Sequence, residues 1–190
     1  MRSDVVSRTG VIILTLDAER HMPALLGAIG ALNEHPRRVL FVDSSSSDRT
    51  VARAREAGHD VHVIARADFG HGRTRNEAAR LCADCDFLVY LTQDAEPVGA
   101  DWLDRLLAPF ADPAVALVYG RQLPRPEATW SERYAREFNY SSRPDRSERR
   151  DLERRGIKAV FCSNSFAAYR RDALDVVGGF PEHLPMGEDM

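Results

Sequence analysis

Four short stretches hold the side chains that could do chemistry. In the first, residues 86–94, an apolar run stops at Thr92, Gln93 and Asp94. A carboxylate beyond a buried strand can bind a divalent cation that takes its other oxygens from water and phosphate. Thr92 and Gln93 add only neutral oxygens, and a plain turn explains the three residues equally well. In the second, Val42-Asp43-Ser44-Ser45-Ser46-Ser47-Asp48-Arg49-Thr50, a carboxylate at a strand end is followed by hydroxyls and a helix start. The carboxylate can accept from a base N–H, and the helix N-terminus favours anions. Capping accounts for Ser47 or Asp48 but not for Asp43.

The third stretch, Asp68-Phe69-Gly70-His71-Gly72-Arg73-Thr74-Arg75-Asn76, pairs two glycines with a basic helix start. Arg75 stands where a dinucleotide fingerprint has its third glycine, so that fingerprint is incomplete. Glycines that let backbone approach a ligand, followed by Arg75 and Asn76, suit a base or a phosphate; local capping and pairing suit them as well. The fourth is Gly187-Glu188-Asp189. An acidic pair after a Pro- and Gly-containing loop ordinarily marks a helix start, and a catalytic carboxylate is the alternative.

The elements that must position these groups alternate. Apolar runs at 11–16, 39–42, 61–65, 87–91 and 115–119 read as strands, and the continuity of the first suits burial on both faces. Between them, 22–33, 49–57, 73–82 and 102–110 read as helices. Strand and helix in turn predict a mostly parallel sheet covered on both sides. Ligands of such sheets sit beyond the carboxyl ends of the strands, where the polar clusters at 15–17, 43–45 and 92–94 fall. After Gly120 the rhythm breaks. A helix is expected over 130–138, and 141–156, with six arginines against four acids, reads as a mobile charged surface loop. Apolar structure resumes at 159–162 and 166–169, and a short helix over 171–177 ends at Gly178-Gly179. The length fits a single domain, 1–190.

Composition narrows the function. Net charge is -3, which offers no general attraction to nucleic acid. No apolar run reaches the ~20 residues of a membrane helix, and the default expectation is a cytoplasmic protein. Lys158 is the sole lysine, so no Walker A loop exists. Cys82 and Cys85 form a C-x-x-C without a second pair or a His cluster nearby, which favours reduced structural thiols. A nucleotidyltransferase would want a glycine-rich basic loop where residues 16–20 read Leu-Asp-Ala-Glu-Arg. A dehydrogenase would want glycines after the first strand.

Taken together, VIILTLDAE, VDSSSSDRT, HGRTRN, TQD and GED, in this order, resemble the family 2 glycosyltransferases. DFGHGRTRN, LTQDAEP, RQLPRPEATWSERYAREFNY and CSNSFAAYRRDAL are most similar to bacterial rhamnosyltransferases. The resemblance implies a GT-A, Rossmann-like three-layer α/β fold, cut short at its C-terminus because relatives continue beyond GED. It implies inverting transfer of a sugar, L-rhamnose in that subgroup, from a nucleoside diphosphate sugar (dTDP-rhamnose or a UDP-sugar). The acceptor would be a saccharide or lipid-linked saccharide of cell-envelope polysaccharide, with room for peripheral contact at the inner face of the membrane. Asp43 would contact the base, Thr15 the base or ribose, and Arg75 and Asn76 would lie beside the nucleotide. Asp94, matching the last Asp of Asp-x-Asp, would bind Mg²⁺ or Mn²⁺, although Thr92 replaces the first Asp. Asp189 would be the catalytic base, and Gln93, Ser163, Asn164 and Glu188 would border donor or acceptor. The alternative is a fragment that holds a nucleotide sugar without turning it over.

Overall fold

The computed structural model describes residues 2–184 and 187. In chain order the elements are α1 (Arg2–Val6), β1 (Thr9–Thr15), α2 (Met22–Gly30), β2 (Arg38–Asp43), α3 (Thr50–Glu56), β3 (Asp60–Val63), α4 (His71–Leu81), β4 (Phe87–Thr92) and α5 (Trp102–Leu107). They continue with β5 (Leu117–Tyr119), α6 (Trp130–Asn139), α7 (Leu152–Arg155), β6 (Phe166–Arg170) and α8 (Arg171–Val176). The six strands form one sheet in the order β3-β2-β1-β4-β6-β5. β1 to β4 run parallel, and β6 inserts antiparallel between β4 and β5.

The continuous apolar strands follow from burial on both faces. Val11 and Ile13 of β1, Phe41 of β2 and Val89 of β4 pack on one side with Met22 and Leu25 of α2 and Trp102, Leu103 and Leu106 of α5. Ile12, Leu40, Val42, Leu88 and Tyr90 face the other way, onto Ala78 of α4, Leu174 of α8 and Phe180. The Trp102 indole N–H donates to the Ala28 carbonyl at 3.1 Å and ties α5 to α2. Cys82 and Cys85 are buried free thiols that pack beside Gly10, where an added Cβ would lie 3.1 Å from the Cys85 Sγ.

Several boundaries differ from the sequence expectation for identifiable reasons. β1 starts at Thr9 because Thr9 and Gly10 pair with Phe87 and Leu88. It ends at Thr15 because the Leu16 N–H donates instead to the Gln93 Oε1 at 2.8 Å. The helix expected over 102–110 stops at Leu107 and continues as a 3-10 turn, Ala108–Ala111, around Pro109, which lacks an N–H. The 141–156 stretch contains a 3-10 turn, Arg149–Asp151, and α7. A capping box organises that turn, with Glu148 and Asp151 reciprocally satisfying backbone donors. Residues 159–162 form no strand; Ala159 is the last residue of a 3-10 turn, Gly156–Ala159.

Register sets the strand ends level with one another. Thr15 pairs with Asp43, Asp43 with Val63, Leu14 with Thr92, and Leu91 with Phe166. The carboxyl ends of β1 to β4, and the amino end of β6, therefore share one edge of the sheet.

Candidate functional site

Asp43 is fully buried at the end of β2. Its Oδ2 accepts from the Thr15 hydroxyl at 2.8 Å and the Ser46 hydroxyl at 2.6 Å, and its Oδ1 accepts from the Ser46 N–H at 2.7 Å. Thr15, 3% exposed, thus acts on Asp43 across the strand pair that brings them side by side. Oδ1 retains lone-pair capacity for a further donor. The turn above it is strained, with Ser45 at φ 60.

The loop after β1 is laced to the loop after β2 by groups that local sequence pattern does not single out for this role. The Asp17 Oδ1 accepts from the Ser47 N–H and hydroxyl at 2.8 and 3.0 Å, and the Asp17 N–H donates to the Ser46 Oγ at 2.8 Å. Ser47 is therefore no helix cap. The Ala18 N–H donates to the Thr50 hydroxyl and the Glu19 N–H to the Asp48 carboxylate. Asp48 also accepts from the Thr50 N–H at 2.9 Å, but the N-cap position of α3 is Arg49, so neither Ser47 nor Asp48 is the N-cap residue. The Ser47 N–H and hydroxyl hold the Asp17 carboxyl below the usual carboxylate range. Burial pushes Asp48 up, but hydrogen bonds from Thr50 and Glu19 outweigh it and hold that carboxyl low as well. The partners lie about 30 positions apart, so spacing along the chain carries no sign of the lacing; the positive φ of Asp17, 45°, is visible only in three dimensions.

Arg75 lies on the second turn of α4, 6% exposed, and donates to the His71 carbonyl at 3.2 Å. The Tyr90 hydroxyl of β4 donates to the Arg75 carbonyl at 3.2 Å, fixing this turn over the sheet. Asn76 faces the chain segment after α8. Its Nδ2 donates to the Phe180 carbonyl and to the Glu182 Oε1, both at 2.9 Å, and its Oδ1 accepts from the Phe180 N–H at 2.8 Å. Gly72 makes the same approach possible: a Cβ there would lie 2.2 Å from the Pro181 carbonyl oxygen. From sequence, these glycines are expected to admit a ligand; at Gly72 it is the chain's own 180–182 segment that comes close.

Asp94 follows β4 and is exposed. Beside it the Gln93 Oε1 caps the end of β1 through Leu16. Just before the amino end of β6, the Ser163 hydroxyl accepts from Gln122 at 3.0 Å, and buried Asn164 accepts from the Tyr169 hydroxyl at 2.8 Å. Glu188 and Asp189 lie outside the described residues. Among the described residues no three His, Cys, Asp or Glu side chains cluster as a metal site. One exposed carboxylate still suits a cation whose remaining ligands are diphosphate oxygens and water, so the donor set fits Mg²⁺ or Mn²⁺ completed by substrate. A separate cleft of about 320 Å³, lined by Arg37, Arg38, His59 and neighbours, lies at the amino ends of β2 and β3, away from these groups.

A mostly parallel α/β sheet takes its ligands beyond the carboxyl ends of its strands, and there this chain carries a buried carboxylate, Asp43, and an exposed one, Asp94. The comparison with known families is specific: the chain belongs to glycosyl transferase family 2, whose model matches residues 11–178. It is 42% identical over 181 residues to the O-antigen chain rhamnosyltransferase RfbN of Salmonella typhimurium, covering 95% of this chain and 58% of that protein. It is 43% identical over 155 residues to the O-antigen chain rhamnosyltransferase WbaN of Salmonella anatum, covering 82% of this chain and 49% of that protein. The chain thus spans about half the length of the curated relatives it matches.

Among solved structures, the mannosyltransferase PcManGT from Pyrobaculum calidifontis, in complex with GDP-Man and Mn²⁺, superposes with a TM-score of 0.68 at 22% identity. That match covers 96% of this chain and 50% of that one. S. aureus TarS 1-349 gives 0.66 at 22% identity, over 96% and 52%. At such identity the likeness is one of fold, and the fold is GT-A.

Proposed function

We propose that the chain transfers L-rhamnose, with inversion, from a nucleoside diphosphate sugar to a saccharide carried on a lipid at the membrane surface. The observation that supports this reading is the pairing of Thr15 with Asp43 at the carboxyl ends of β1 and β2, with Asp94 just beyond the carboxyl end of β4, in a chain 42% identical to a rhamnosyltransferase. Asp43 accepts from a base N–H through the open capacity of its Oδ1, which requires the Ser45–Ser46 turn to give way. Thr15 keeps the carboxylate oriented, and Arg75 offsets phosphate charge. Asp94 holds the divalent cation, which when bound stabilises the leaving diphosphate. Gln93, Ser163, Asn164 and Glu188 border the sugar or the acceptor.

Asp189 removes the proton of the acceptor hydroxyl as that oxygen bonds to the anomeric carbon and the bond to the diphosphate breaks. A positioned base of this kind contributes typically ~10²–10⁴-fold. Asn76 acts indirectly, by anchoring the segment that leads to residues 187–189.

The test is incubation with dTDP-L-rhamnose, and separately with UDP-glucose, in Mg²⁺, with a lipid-linked saccharide acceptor. Release of dTDP with a mass gain of one deoxyhexose on the acceptor supports the reading. Transfer from UDP-glucose alone would overturn the rhamnosyl assignment.

A further inference from the structure

The helix α6 is built the wrong way round for a surface helix. Trp130, Tyr134 and Phe138 recur at every fourth position and so share one face. They are 78%, 56% and 59% exposed. Successive rings lie nearly parallel, at 15° and 18°, with centroids 5.6 and 6.1 Å apart. The half-buried residues of the helix are instead Glu132 and Arg136, on the opposite face, and no residue of α6 is buried. A ten-residue helix is marginal by itself in water and normally gains its stability by packing an apolar face. A contiguous exposed aromatic surface of this kind marks an interaction site.

The chemistry around the stripe selects the partner. Between residues 123 and 160 there are ten arginines and lysines against seven carboxylates, in a chain whose net charge is -3. Several of those bases pair locally: Arg146 with Asp112, Arg150 with Glu148, Arg154 with Asp151 and Arg155 with Asp145. Among the described residues Arg133, Arg136, Arg143, Arg149 and Lys158 form no ion pair. The Lys158 Nζ sits 4.0 Å from the Phe138 ring centroid, which brings a cation to the stripe, and Ile157 beside it is 67% exposed. Glu137 borders the stripe as well, next to Arg133. Trp and Tyr prefer the headgroup level of a bilayer, where the ring is apolar on one side and wet on the other.

We propose that the Trp130-Tyr134-Phe138 face of α6, with Lys158 at its border, docks on an anionic bilayer surface. This deepens the reading of a membrane-borne acceptor. Binding needs neither nucleotide nor acceptor, so the two readings can fail separately.

The experiment is flotation of the purified 190-residue chain with vesicles of phosphatidylcholine alone and of phosphatidylcholine with phosphatidylglycerol in equal parts. Trp102 is buried, so a change in tryptophan emission on vesicle addition reports Trp130. The expected result is flotation with the anionic vesicles only, a blue-shifted emission, and release by high salt. The variant Trp130→Ala/Tyr134→Ala/Phe138→Ala should bind those vesicles at least about tenfold more weakly. Since it removes no buried side chain, its solution nucleotide titration should match that of the unsubstituted chain. Failure to float with anionic vesicles would overturn the proposal. Unchanged flotation of the triple variant would do so as well. So would a concentration-dependent dimer, seen by sedimentation and lost in the triple variant, in a chain that ignores vesicles; the face would then serve a second copy.

Discussion

Asn76 offers a sharp test of what the α4 sequence is for. Its amide makes three hydrogen bonds of 2.8–2.9 Å, two of them with the backbone of Phe180 and one with Glu182. Asn76→Ala removes all three, beside a Phe180 side chain that is 4% exposed. At about 0.5–1.5 kcal/mol for each bond, the loss is ~2–3 kcal/mol. For a chain of this size each kcal/mol lowers the melting temperature by ~2–4 °C, so a drop of ~5–10 °C is expected. Asn76→Asp keeps the acceptor for the Phe180 N–H but turns an oxygen toward the Phe180 carbonyl and the Glu182 carboxylate. It should therefore be at least as damaging as Ala, despite its closer shape. Thermal denaturation of the three proteins, with hydrogen exchange of the 178–184 amides, reads both effects; exchange should accelerate in both variants. A melting temperature within ~1 °C of the unsubstituted chain, joined to a tenfold loss of nucleotide affinity, would refute this anchoring role and make Asn76 a direct nucleotide contact.

Three further outcomes are expected. Asp43→Ala leaves the Thr15 hydroxyl and both Ser46 donors without their acceptor, so nucleotide binding should weaken even without metal and stability should fall by ~3 kcal/mol; a denaturant titration paired with calorimetry checks both. Asp17 and Asp48 have lowered folded pKa values, so their contribution is present above the unfolded carboxylate range, about pH 4, and is lost as pH falls through the folded values. Melting temperature should drop on acidification below about pH 4, and Asp17→Asn should show a smaller drop; equal acid sensitivity of the two proteins would contradict the lacing. Asp189→Asn should bind donor normally and lose transfer by ~10²-fold or more, measured as acceptor glycosylation.

The alternation of strand and helix was legible because β1, β2 and β4 are buried on both faces and so read as unbroken apolar runs. The position of β6 was not: its antiparallel pairing with Phe87–Leu91 is a long-range event with no local signature. The same limit separates the site residues. Asp43 stood out because capping could not explain a carboxylate at the strand end itself, and register places it beside Thr15. Asn76 sat within a polar helix start that looked ligand-facing, yet its partner Phe180 is 104 residues away. Gly72 likewise announces a close approach without saying by what. The helix expected over 130–138 forms as α6, Trp130–Asn139, but the sequence does not say which of its faces meets the domain.

The most direct measurement is calorimetric titration of the chain and of Asp94→Ala with dTDP and with UDP, each with and without Mg²⁺. The account predicts that the chain binds dTDP more tightly with Mg²⁺ present, and that Asp94→Ala keeps the weak metal-free affinity but loses the enhancement. Equal affinity with and without Mg²⁺ in the unsubstituted chain, or an undiminished enhancement in Asp94→Ala, would contradict it.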